Sequence, residues 1–221
     1  ISSAASDVYK RQDVQDPELV RRMRPSIIHV LGDAEECSRR LMGSGFVAAD
    51  DYVITNAHVV AGTQTVRLDT KLGLKDATVV YYNPDVDVAV LHSRDLGIDP
   101  LPWAQDPAQT GDDAMVMGFP HSGPFDAEMA RVRDRITISG PDIYSHGHVE
   151  RDSYTVRGSI QQGNSGGPLV NTAGEVLGVV FGASVDDAET GYALTADEVN
   201  GQIGDLTQLT HPVDTGECVA H

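Results

Sequence analysis

Twelve short apolar runs, rich in β-branched residues and separated by turn residues, govern what this chain can fold into. Six lie at 27–31, 45–48, 52–55, 65–68, 78–82 and 86–91, and six more at 114–118, 131–138, 153–156, 169–171, 175–181 and 192–195. Runs of this length and composition predict strands of a barrel or sandwich rather than helices. The segment 95–109, with Pro100, Pro102 and Pro107, separates the two sets and reads as a linker. Two similar sets suggest two barrels, and no internal repeat of solenoid period is visible. Helices are expected only near the ends. Asp16 is placed to cap a short helix over 18–23 that begins with Pro17 and stops at Pro25, and 196–203 reads as a closing helix. Residues 1–15 include Lys10, one of only three lysines, and read as a non-native or disordered leader outside the fold. The expected division is a first barrel over 16–104 and a second over 105–221, the latter carrying the closing helix and a tail.

The chain has 221 residues, enough for a sizeable core, and 40% of them are hydrophobic. Its net charge of −17 excludes a nucleic-acid binder, since phosphate recognition needs a basic face, and argues against docking on anionic lipid. No apolar run approaches the roughly 18 residues of a membrane span, and no signal peptide is visible. The chain starts at Ile1 rather than at a methionine, which implies further sequence upstream. Two cysteines, Cys37 and Cys218, stand near opposite ends. In a reducing cytosol they would be unrelated thiols; in an exported protein they would form a bridge.

Chemistry is concentrated in three stretches. Gly163-Asn164-Ser165-Gly166-Gly167-Pro168 sets a serine among three glycines just before an apolar run. Such a sequence suits a sharp bend that lifts a hydroxyl out of the wall and turns N–H groups toward one point, though a plain Gly-rich loop reads the same way. Thr55-Asn56-Ala57-His58-Val59-Val60 follows a strand and offers His58 as a base; alone, it reads equally as a buried core histidine. Asp85-Val86-Asp87-Val88-Ala89-Val90-Leu91 offers an acid in an apolar strand, where a carboxylate needs a partner. Strand alternation puts Asp85 and Asp87 on one face and does not choose between them. His58, Asp87 and Ser165 occur in the chymotrypsin order of a base, an orienting acid and a nucleophile.

With Gly43-Ser44-Gly45-Phe46 and Gly118-Phe119-Pro120, these stretches resemble the trypsin-like proteases of the bacterial HtrA group over about residues 27–199. Cys37, Cys218 and Ser139-Gly140-Pro141-Asp142-Ile143-Tyr144 make the chain more similar to the MarP family, periplasmic acid-resistance proteases of mycobacteria and their relatives. The resemblance implies two six-stranded antiparallel β-barrels and a serine endopeptidase with His58, Asp87 and Ser165 as its triad. Asp87 is the acid because the family's acid directly precedes the Val-Ala-Val-Leu run. Gly163 and Ser165 would supply the oxyanion hole. The substrate pocket would be built from Ser159, Phe181, Gly182, Ala183, Gly191 and Tyr192, and with no acid at Ser159 it suits a small or apolar side chain.

The resemblance further implies a Cys37–Cys218 disulfide, a periplasmic location with membrane helices upstream, and a role in acid tolerance. Its partners would be protein substrates, such as a peptidoglycan hydrolase. No cofactor or metal is expected, and the pair His146 and His148 reads as loop. Two other readings stand beside this one. One is an HtrA-like quality-control protease lacking its PDZ domain. A protease-like binding module would not need an intact triad.

Overall fold

The computed structural model describes residues 16–220. The leader expected at 1–15 lies outside them. Twelve strands form two closed, six-stranded antiparallel barrels. The first comprises β1 (Ile27–Ala34), β2 (Arg39–Ala49), β3 (Tyr52–Thr55), β4 (Thr65–Thr70), β5 (Gly73–Asn83) and β6 (Val88–His92), in the order β1-β2-β3-β6-β5-β4. The second comprises β7 (Asp113–Gly118), β8 (Asp126–Gly140), β9 (Val149–Arg157), β10 (Pro168–Val170), β11 (Val176–Ala183) and β12 (Thr190–Thr195), in the order β10-β11-β12-β9-β8-β7. Register shifts at Val47/Ala49, Val79/Tyr81, Val132/Asp134 and Val180/Gly182 mark bulges, which bend and twist strands so that a sheet closes on itself.

The unbroken apolar runs follow from burial on both faces. Along β6, Ala89 and Leu91 point into the first barrel, while Val88 and Val90 point into a core between the barrels. Along β7, Ala114 and Val116 fill the second barrel, and Met115 and Met117 face the same shared core. Period-two alternation thus divides each run between two interiors. Phe46, Ile54, Val179 and Leu194 complete the shared core, which fixes the two barrels against each other.

Several strands run well past their expected ends. β8 covers the fifteen residues Asp126–Gly140, past the expected 131–138 at both ends, although its outer half from Arg133 is largely exposed. The two ends of the described residues cross over. Helix α1 (Pro17–Met23), capped by Asp16 Oδ1 accepting from Leu19 N at 3.0 Å, packs on the second barrel. There Leu19 Cδ1 comes so near Gly174 that a Cβ on that residue would lie 2.8 Å away. Arg24, just beyond the helix, stacks its guanidinium 5.0 Å from the Phe125 ring centroid. The C-terminal tail returns to the first barrel, with Val213 N donating to Val79 O and Gly62 N donating to Thr215 O, each at 2.9 Å. A disulfide then joins Cys37 to Cys218, with Cα atoms 6.6 Å apart. Helix α2 (Ala57–Val60) is a single turn after β3, and α3 (Ala196–Ile203) closes the second barrel. Among the described residues no helix is long and apolar enough to cross a membrane.

Candidate active site

The histidine enters on α2, directly after buried β3, so its backbone is fixed by the first barrel's wall. Its acid comes from a turn between β5 and β6. Asn83 organises that turn: its Oδ1 accepts from Asp85 N at 3.1 Å and Val86 N at 3.3 Å, and its carbonyl accepts from Asp87 N at 3.0 Å. Asp87 leaves the turn at φ 71°, a left-handed conformation that aspartate tolerates better than branched residues do. Both expected strand positions need correction here. Asp85 and Asp87 precede β6 rather than lying in it, so alternation does not apply: Asp85 is exposed and Asp87 is buried.

Both Asp87 carboxylate oxygens are spent on His58. Oδ1 accepts from the His58 backbone N–H at 2.9 Å, and Oδ2 faces Nδ1 at 2.6 Å. A carboxylate can only accept, so Nδ1 carries the hydrogen of that bond and neutral His58 presents a bare Nε2. Asn56 Nδ2 donates to Asp87 O at 2.9 Å and holds the acid's backbone in turn. Burial pushes the His58 pKa down, but the charge of Asp87 and its hydrogen bond push it up further, and the net value lies above the ordinary 6.5.

The serine loop is defined by what would collide with it. A Cβ on Gly163 would lie 2.5 Å from Phe119 O, on Gly166 2.1 Å from Ser44 O, and on Gly167 2.2 Å from Met117 O. Gly163 and Gly166 also sit at φ 101° and 90°. Glycine is required at Gly163 and Gly166 by backbone approach and by conformation together, and at Gly167 by backbone approach. Within the loop, Asn164 N donates to Gln161 O, Gly166 N to Val180 O and Gly167 N to Asn164 O. The N–H groups of Gly163 and Ser165 donate to no acceptor among the described residues.

Ser44, whose role the sequence reading missed, grips this loop from the first barrel. Its N–H donates to Ser165 O at 3.0 Å, its Oγ donates to Gly163 O at 2.6 Å, and that Oγ accepts from Phe119 N at 2.9 Å. Its carbonyl accepts from Thr55 Oγ1 at 2.8 Å, one residue before the segment that leads to His58. The glycines flanking Ser44 were the available signal, since Gly43 and Gly45 leave no room for a side chain. The loop and α2 meet closely: a Cβ on Gly166 would lie 3.1 Å from Asn56 N. Among the described residues no hydrogen bond joins Ser165 Oγ to His58, a contact that in unliganded enzymes is often long and tightens with substrate.

Of the expected pocket residues, Phe181 stacks on Tyr192 with ring centroids 6.2 Å apart. Gly182 pairs with Tyr192 and Ala183 with Gly191 across β11 and β12, while Ser159 is exposed. Ile160, not singled out from the sequence, lies on Gly191 so closely that a Cβ there would be 2.0 Å from its Cδ1. His146 and His148 are exposed in the loop between β8 and β9, and among the described residues no group of three or more His, Cys, Asp or Glu could hold a metal ion.

A profile of the trypsin-like peptidase domain matches residues 43–179. The serine protease Rv3671c of Mycobacterium tuberculosis H37Rv is 48% identical over 211 residues, covering 93% of this chain and 53% of that protein. The chain therefore spans about half the length of this curated relative. The crystal structure of the active form of the M. tuberculosis Rv3671c protease superposes with a TM-score of 0.90 at 48% identity, covering 94% of this chain and 91% of that one. The inactive form of the same protease gives 0.78 at 45% identity, covering 90% and 96%. The profile spans more than half of the chain and runs through His58, Asp87 and Ser165, and the chain belongs to the trypsin-like peptidases.

Proposed function

We propose that this chain is a serine endopeptidase in which Ser165 attacks a peptide carbonyl carbon. His58 Nε2 takes the hydroxyl proton as the Ser165 Oγ–carbon bond forms, and the carbonyl oxygen becomes an oxyanion. The N–H groups of Gly163 and Ser165 meet that oxyanion, each donor contributing about 10²–10³ in rate. His58 then gives its proton to the leaving amine as the C–N bond breaks, and water repeats the sequence on the acyl-enzyme. Asp87 fixes the tautomer and stabilises the imidazolium without accepting the proton. The observation that carries this reading is the division of the Asp87 carboxylate between His58 N–H and Nδ1, beside a loop with two unengaged amide donors. The better fit to the active form of the M. tuberculosis protease supports a loop already set for that chemistry.

Ile160 packed on Gly191 supports a shallow, apolar specificity pocket and a small or apolar side chain before the cut bond. The disulfide supports an oxidising, exported setting for the protein substrates. Acid tolerance, a peptidoglycan hydrolase as substrate and a membrane tether extend the same reading. Casein hydrolysis by the parent and by Ser165→Ala tests the central step. The parent is expected to cleave and the variant to fall to background; equal rates in the two would refute a Ser165 mechanism.

A further inference from the structure

One buried cation plays no part in the scheme above. Arg151 stands on β9 of the second barrel and is 5% exposed. Its Nη2 donates across the barrel interface to Asp85 O, in the turn that carries Asp87, and to Pro141 O at 2.9 Å. Its guanidinium lies 5.8 Å from the Phe181 ring centroid, and its Nε is buried with no hydrogen-bond partner. A guanidinium placed this deep on two carbonyls and one ring, with no carboxylate in contact among the described residues, is a costly element for a fold to keep.

What it faces gives a reason to keep it. Asp85 and Asp87 from the acid turn, Asp142 from the β8–β9 loop and Glu198 from α3 all act on it electrostatically. The same turn takes a second hydrogen bond from the opposite barrel, Ile143 N to Pro84 O at 3.1 Å. Two consecutive carbonyls just ahead of a left-handed Asp87 are thus held by donors from the other barrel. Such backbone conformations persist when the surroundings over-determine them.

We propose that Arg151 is a positioning residue for the Asp87–His58 pair: it locks the acid turn from the second barrel, and its charge offsets part of the carboxylate's pull on the imidazolium. The proposal rests on the reading of His58, Asp87 and Ser165 as a triad. Arg151 touches no reacting atom and acts through Asp87. Because the cation opposes a charge on His58, it lowers the pH at which His58 becomes a neutral base. Tyr82, which faces Asp87 and shares a hydrogen bond with Tyr144, has its pKa pushed up by burial and by Tyr144, and stays neutral.

The test is kcat/KM against pH on a peptide substrate for the parent, Arg151→Met, Arg151→Gln and Arg151→Lys. Rates of Ser165 labelling by a fluorophosphonate are followed in parallel. Loss of the charge in the Met and Gln variants is expected to move the acid limb upward by about 0.5–1 pH unit, with kcat falling more than KM changes. Lys is expected to return the limb to the parent position while recovering kcat only in part, since one ammonium does not reproduce the guanidinium's two carbonyl bonds and its stacking. Gln keeps a donor for Asp85 O, so it reports on charge even where Met fails to fold. Folded Met or Gln variants whose acid limb stays in place, or a Lys variant that leaves it displaced, would overturn the proposal. A parent whose Ser165 does not label would instead overturn the triad reading on which it rests.

Discussion

Asp87 holds the base by two bonds of different kinds, one to the His58 backbone and one to its ring, so replacing it separates shape from chemistry. Asp87→Asn keeps the volume but offers an N–H or a neutral carbonyl to Nδ1, favouring the wrong tautomer; kcat is expected to fall by about 10⁴-fold with the fold intact. Ser44→Ala removes the donor to Gly163 O and leaves that carbonyl freer to turn. Its kcat is expected to drop by about tenfold with KM nearly unchanged, as read from steady-state peptide hydrolysis. The raised His58 pKa has two consequences of opposite sense. The free enzyme's kcat/KM should rise with pH through a value above 6.5, because the neutral imidazole is the base. The His58–Asp87 pair should stabilise the fold in full below the unfolded histidine value and lose that contribution as pH rises through the folded one. His58→Gln should therefore cost more stability in urea titrations at about pH 5.5 than at about pH 8.5. Ser165 and His58 stood out in the sequence as candidates because glycines and a strand end mark them. The choice of Asp87 over Asp85 was not legible from alternation, since a left-handed turn rather than a strand presents the carboxylate. Arg151 was hidden in a polar strand, where nothing local distinguishes a buried arginine from a solvated one.

At the scale of elements, the strands most readily read from sequence were those buried twice over. β3, β6 and β7 were found with their boundaries nearly right because one face fills a barrel and the other fills the core between barrels. The early parts of β2 and β5 alternate between half-buried and exposed residues, many of them polar, and carry no apolar run, while β8 was found at 131–138 but begins five residues earlier. The closing helix α3 depends on Thr195, whose Oγ1 accepts from Glu198 N at 3.1 Å and donates to Asp152 Oδ2 at 2.9 Å. Arg135 joins the same group through Asp152 and Asp197. Thr195→Ala removes a helix cap and an acceptor's partner together. It is expected to lower stability by about 1–2 kcal/mol in denaturant titrations, with the slope unchanged.

Over the whole molecule, each end of the described residues is fastened to the barrel it did not build. α1 packs on the second barrel and the tail on the first, so both barrels are spanned before the disulfide is counted. A crossover of this kind leaves no trace in local sequence, because it depends on contacts such as Gly174 with Leu19 and Thr215 with Thr63. The Cys37–Cys218 bridge links residues 181 apart in sequence. On the chain-entropy account its loss removes up to about 5 kcal/mol. Cys218→Ser should show a lower unfolding midpoint with little change in native circular dichroism. The central claim is that the three residues act as one unit, with Ser165 reactive because His58 and Asp87 make it so. Its most direct test is fluorophosphonate labelling at neutral pH, with the modified residue mapped by mass spectrometry in the parent, His58→Ala and Asp87→Asn. The account predicts rapid labelling confined to Ser165 in the parent and labelling at least about 10³-fold slower in both variants. Labelling at another residue, or at Ser165 with undiminished speed in the variants, would contradict it.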